Sequence, residues 1–274
     1  MTDLSATTWL GLPAATVLAV LLASVLCGFV GTFVVLRRLV ALGGGIAHAA
    51  FGGIGLAVLA GWDPRLGAAG VAAVAATLLS ALPRERSDRV DAVIGVLWAV
   101  GMAVGMLLLA GRSGGDVDVE GYLFGDISSV RPSDLLVLGV LVLFVLGLHA
   151  VCGRQLVAIA FDPDHAALQG VRVHRLSWIL MLVVALSLVA LLALVGVVLA
   201  IALLAIPPLV GLRLGRSLPA IVVLATATAL ATGLGGLWLA GAFAWPAGPT
   251  VVLTGAALLA ISRLGRPRSS RDAR

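Results

Sequence analysis

Leu176–Val195 reads LSWILMLVVALSLVALLALV, and Gly196–Gly215 continues it as GVVLAIALLAIPPLVGLRLG. Arg213 is the single charged residue in the whole stretch. A helix that crosses a bilayer needs about 20 predominantly apolar residues. The stretch is therefore long enough to cross twice, with Val195-Gly196 as the only separation between two spans. Similar apolar runs fall at 9–36, 42–60, 66–82, 90–110, 134–152, 219–240 and 248–265. The expectation is an all-α polytopic membrane protein of about nine transmembrane helices, with eight or ten also acceptable.

Composition agrees. Of 274 residues, 61% are hydrophobic and 11% charged, against about 45–50% and about 25% in a soluble domain. Residues 1–265 form a single transmembrane domain, with no room for a second soluble one. The polar tail Arg266–Arg274 is expected to be disordered. Asp3 and the lack of a basic leader argue against a cleaved signal peptide.

The charges set an orientation and exclude several functions. All 18 basic residues are Arg, since the chain has no Lys. With the N-terminus outside and the C-terminus cytoplasmic, 15 of them fall in inner loops, and only Arg65, Arg112 and Arg131 lie outside. That is the positive-inside pattern. It explains the +5 net charge without nucleic acid, for which a basic stripe or aromatic platform would be needed. A phosphate-binding P-loop requires Lys, and so does a Schiff-base catalyst. Both are excluded, and the chain is not expected to be an enzyme. Any ATP used must be hydrolysed by another subunit. Cys27 and Cys152 have no metal or redox spacing and read as packed thiols.

Two segments carry chemistry. The longest inner loop, about 153–175, contains Phe161-Asp162-Pro163-Asp164-His165-Ala166-Ala167-Leu168-Gln169-Gly170. Asp162 suits an N-cap, Pro163 the first helical position, Asp164 the positive helix end and Gly170 a left-handed C-terminal position. A short capped helix results, either an idle surface helix or a docking element. The second segment is Leu42–Gly55, which puts His48 inside the second span. On a helix, His48 shares a face with Gly44, Gly45, Phe51, Gly52 and Gly55. Such a face either packs tightly on another helix or lines a cavity. An ionisable group in a span is a functional candidate, and imidazole is a common ligand of divalent metals. His149, His165 and His174 are weaker candidates, the first near the inner end of its span and the others in the inner loop. Pro207-Pro208 is expected to break the seventh span and free carbonyls.

Several segments, in order, resemble one family. Arg37-Arg38 precedes the His48 run. Asp91-Ala92-Val93-Ile94-Gly95, Tyr122-Leu123-Phe124-Gly125-Asp126, the Phe161–Val171 loop, Val195–Pro207 and Trp245-Pro246-Ala247-Gly248-Pro249 follow. Together they resemble the membrane permeases of bacterial zinc, manganese or iron ABC importers, the ABC-3 family. The resemblance implies a multi-pass permease of the bacterial cytoplasmic membrane in a complex with three kinds of partner. These are cytoplasmic ATPase subunits, an extracytoplasmic metal-binding protein and a second permease copy, expected to be identical.

By the same resemblance His48 lies on the metal path, with Gly44, Gly45, Gly52 and Gly55 lining it and Asp126 as a further acid. Phe161, Asp162, Pro163, Asp164, Ala167 and Gly170 form the ATPase-docking loop. Many relatives carry Asp four residues before the histidine; here that position is Gly44, so a second ligand must come from elsewhere. No permanently bound cofactor is expected, only a transported divalent ion. Zinc is favoured over manganese or iron because no hard carboxylate accompanies His48 on its helix. The alternatives are a permease for a metal chelate (siderophore, haem or corrinoid) and an ion-coupled secondary transporter. The latter usually needs deep carboxylates, whereas the acids here lie mostly in loops or at span ends.

Overall fold

The computed structural model describes residues 8–9, 12–81, 87–110, 125 and 130–264. Nine helices fall among them: α1 (Ala14–Leu36), α2 (Val40–Ala60), α3 (Pro64–Ser80), α4 (Ser87–Ala110), α5 (Pro132–Phe161), α6 (Pro163–Leu168), α7 (Val173–Leu214), α8 (Leu218–Phe243) and α9 (Ala247–Leu264). Seven of these, all but α3 and α6, contain a stretch long and apolar enough to cross a membrane. At 17 residues α3 is apolar but shorter.

Two boundaries differ from the expectation. The first apolar run begins with a short antiparallel pair, β1 (Thr8–Trp9) with β2 (Leu12–Pro13). The helix starts only after Pro13, whose fixed φ suits a helix entry. The inner loop is also shorter than 153–175. Nothing in 153–161 breaks a helix, so α5 runs on to Phe161 and α7 starts at Val173. Most of the loop expected at 111–133, and the tail 266–274, lie outside the described residues.

The largest departure concerns α7. A straight helix of its 42 residues would be about 63 Å long, twice the hydrocarbon thickness. It is not straight. Gly196 has φ 75°, ψ 171°, the one non-helical residue inside it. Val184 and Leu188 border the same small cavity as Ile201, Leu204 and Ala205. Residues eight before the break thus lie beside residues eight after it, so the chain reverses at Gly196 into two antiparallel arms, 173–195 and 197–214. Pro207 and Pro208 do not make the break: both are buried and the helix continues through them. They still remove two backbone donors, and Gly31 of α1 packs on the Leu204 carbonyl and the Pro208 ring.

The arms of α7 join two groups of helices. On one side α2 packs closely with α3 and α4; on the other α1 packs with α5 and α8, and α8 with α9. Leu191, Leu188 and Val184 of α7 and Leu26 and Val30 of α1 are buried in the main core with Ile46, Phe51 and Ile54 of α2. Small residues let backbones approach, as expected where lipid supplies no hydrophobic drive between helices. Gly28 abuts Thr226 of α8, and Gly53 of α2 meets Gly67 of α3. Buried hydroxyls bond back to their own helices: Ser24 to the Val20 carbonyl at 2.6 Å and Ser187 to that of Val183 at 2.6 Å. The outward faces of α4 and α5 are bare leucines and valines such as Leu107, Leu136 and Leu143, the surface that lipid tails require.

Candidate functional site

His48 lies near the middle of α2 and is half-buried. Its Nδ1 is buried without a hydrogen-bond partner. The Trp98 indole of α4 lies against the imidazole, with ring centroids 5.1 Å apart and planes inclined by 33°. A Cβ on Gly44 would come within 2.6 Å of Trp98 Cζ2, and one on Gly45 within 3.3 Å of Ile94 Cγ2. Cβ atoms on Gly52 and Gly55 would each sit 3.0 Å from a backbone oxygen of α4, those of Gly101 and Gly105. Of the two readings open for this glycine face, the structure therefore shows tight packing. Gly44, Gly45, Gly52 and Gly55 meet α4 rather than an open lumen in this conformation.

The α4 side of that seam is Gly101-Met102-Ala103-Val104-Gly105, a small-xxx-small spacing that brings helices together. Position 101 has room for no side chain, because a Cβ there would lie 2.5 Å from the His48 carbonyl oxygen. The glycine pair was legible in the sequence as a packing motif. Its pairing with the His48 face was not, since spacing within one helix says nothing about which helix it meets.

Among the described residues no group of three or more His, Cys, Asp and Glu side chains is placed to hold a metal ion. Asp126 lies outside the described residues. Its neighbour Gly125 is described: with φ +69° it packs on the backbone of Val195 and Gly196. Two of the ordered motifs thus meet at the reversal of α7. His149 edges onto Phe29 at 5.3 Å and lies 6.4 Å from Phe33, its Nδ1 buried without a hydrogen-bond partner. It belongs to the contact between α5 and α1.

The short capped helix expected at Asp162–Gly170 is present as α6. Asp162 Oδ1 accepts the His165 amide at 2.9 Å, and Pro163 opens the helix. Gly170 has φ +81° with open space where a side chain would go. Ala166 is fully buried and joins Ile159, Leu176, Leu180 and Phe33 in a separate small core. One methyl thus anchors α6, while Phe161 and Leu168 are 67% and 87% exposed and Asp164 and Ala167 face outward beside them. His165 contributes locally through Gln169, at 2.8 Å. Arg37, at the end of α1, donates to Ser177 Oγ at 3.0 Å, fixing α7 beside this helix.

Comparison with known proteins gives this architecture a family. A probable metal transport system membrane protein of Chlamydia pneumoniae is 31% identical over 87% of this chain and 83% of its own length. A manganese transport system membrane protein, MntC, of Halalkalibacterium halodurans is 30% identical over 91% and 86%. Among solved structures, PsaBC of Streptococcus pneumoniae in complex with Fab matches with a TM-score of 0.81 at 25% identity, covering 92% of this chain and 91% of that one. An inward-facing transporter named as of the metal-chelate type matches with a TM-score of 0.71 at 16% identity, over 93% and 88%, a likeness of fold alone. The model of the ABC 3 transport family matches residues 12–265, and the chain belongs to that family as a multi-pass metal permease subunit of the cytoplasmic membrane.

Proposed function

We propose that this permease imports a divalent transition metal, most favourably zinc, and that ATP is hydrolysed by partner subunits docked on α6. The observation that carries the metal reading is His48: an intramembrane imidazole with a buried, unpartnered Nδ1 and no cage of further ligands among the described residues. A closed tetrahedral site would hold zinc too well, whereas conduction needs sites weak enough to leave. One imidazole with water meets that need. The glycine seam fixes how close α4 comes to this station, and Asp126 is a further acid to test on the path. Imidazole without a carboxylate on α2 favours zinc; the name of the Halalkalibacterium relative makes manganese the rival to test directly.

The docking reading rests on α6 and the end of α5 just before it, where Leu168 and Phe161 are exposed apolar surface. The same face offers Asp164 and Ala167. The topology we propose has nine crossings, counting α3 and each arm of α7, with the N-terminus outside. It puts α6, Arg37, Arg213 and Arg263 on the cytoplasmic side, where the positive-inside rule wants them. Two identical copies and an extracytoplasmic metal-binding protein complete the importer.

The test is cellular zinc, manganese and iron by mass spectrometry under mild chelation. Cells lacking the chain are compared with cells re-expressing it or its His48→Ala form. One metal should fall, return with the wild type and stay low with His48→Ala. Uptake that is normal with His48→Ala at equal membrane abundance would overturn the path reading.

A further inference from the structure

The space beside the His48 ring is taken by a residue of another helix. Residues four apart on a helix are side-chain neighbours, so position 44 is where a second ligand on α2 would stand. In this chain that position has no side chain, and the indole of Trp98 occupies the room. Trp98 Cζ2 is 2.6 Å from where a Gly44 Cβ would be, and Trp98 Nε1 is 3.3 Å from it. The same indole lies tilted over the imidazole, 5.1 Å between centroids. Gly44 and Trp98 are therefore sterically complementary: a side chain at 44 and the indole in its present rotamer exclude each other.

We propose that Trp98 is a specificity-determining residue of the metal path, filling the ligand position next to His48 and keeping that station a single imidazole. The proposal rests on His48 being the path residue. Its chemistry follows from ligand softness. An imidazole alone offers a nitrogen, which suits zinc; an added carboxylate offers hard oxygens, which suit manganese. The indole offers no lone pair in the ring plane, since its Nε1 is a donor only. It holds the place without supplying a ligand.

The experiment uses cells that lack the chain and re-express wild type, Trp98→Ala, Trp98→Phe, Gly44→Asp or the Gly44→Asp/Trp98→Ala pair, at matched membrane abundance. Uptake of zinc and of manganese is measured for each ion alone and in competition. Gly44→Asp alone should lose uptake of both ions, because its Cβ collides with the indole. The pair should regain uptake and shift preference toward manganese by about tenfold, the scale on which changes around a ligand alter metal affinity. Trp98→Phe, which keeps a ring over the imidazole, should keep the wild-type preference. A merely structural role for Trp98 would change abundance or total uptake but not the ratio of the two ions. The proposal falls if the pair transports no better than Gly44→Asp, or if it transports with the wild-type ratio. Normal uptake by His48→Ala in the same assay would instead show that the path reading itself fails.

Discussion

At the scale of single residues, backbone conformation makes the sharpest predictions. Gly196 sits at φ 75°, ψ 171°, a region essentially confined to glycine and costing other residues about 1–3 kcal/mol. Gly125 abuts its backbone, so there is no slack to relax into. Gly196→Ala should lower the thermal stability of the detergent-purified protein, while Gly139→Ala, in open space on α5, should not. Equal melting of the two variants would show that the reversal is not strained. Asp162 tests a cap. Losing its bond to the His165 amide should cost about 1 kcal/mol, the usual price of an N-cap. Protection of the α6 amides from hydrogen exchange should fall in Asp162→Ala, and unchanged protection would mean that the buried Ala166 holds the helix alone.

Among the elements, α6 and the α2–α4 seam carry separate predictions. The seam depends on the missing side chains of Gly101 and Gly105. Gly101→Leu should push α4 off α2 and reduce folded protein in the membrane. Folded yield equal to wild type would mean that the helices do not need this close approach. The α6 surface should behave differently, because it is exposed. Leu168→Asp and Phe161→Asp should insert and fold normally yet transport poorly, with less ATPase co-purifying. Normal uptake in both would place the docking surface elsewhere. In this element the sequence was legible in detail: Asp162, Pro163 and Gly170 occupy the cap, entry and left-handed exit assigned to them. Caps are local, and the residues that satisfy the backbone lie within the helix itself.

For the whole molecule, topology is the quantity to test. Ser133 lies near the start of α5, where Asp134 pairs with Arg65 of α3 at 2.6 Å; His174 lies exposed beside α6. In a chain with both native cysteines replaced, Ser133→Cys should react with an impermeant maleimide on whole cells. His174→Cys should react only after permeabilisation. The reverse pattern would invert the orientation inferred from arginine.

By itself the amino-acid sequence determined the class of the molecule and the short capped helix α6. Hydropathy runs and arginine placement are sums over neighbouring residues, and bilayer thickness converts them directly into spans. It also named His48 as a candidate, since an ionisable group in such a run is costly unless paired or hydrated. Only the tertiary structure decided where α7 turns. Prolines invited the break at 207–208, but the helix runs on through them against Gly31 of α1, while one glycine at 196 takes a conformation that reverses the chain. Only it, too, showed that the glycines around His48 face α4 and that Trp98 stands beside the imidazole. Those facts depend on which helix packs against which, and a face of small residues accepts any partner that can approach closely enough.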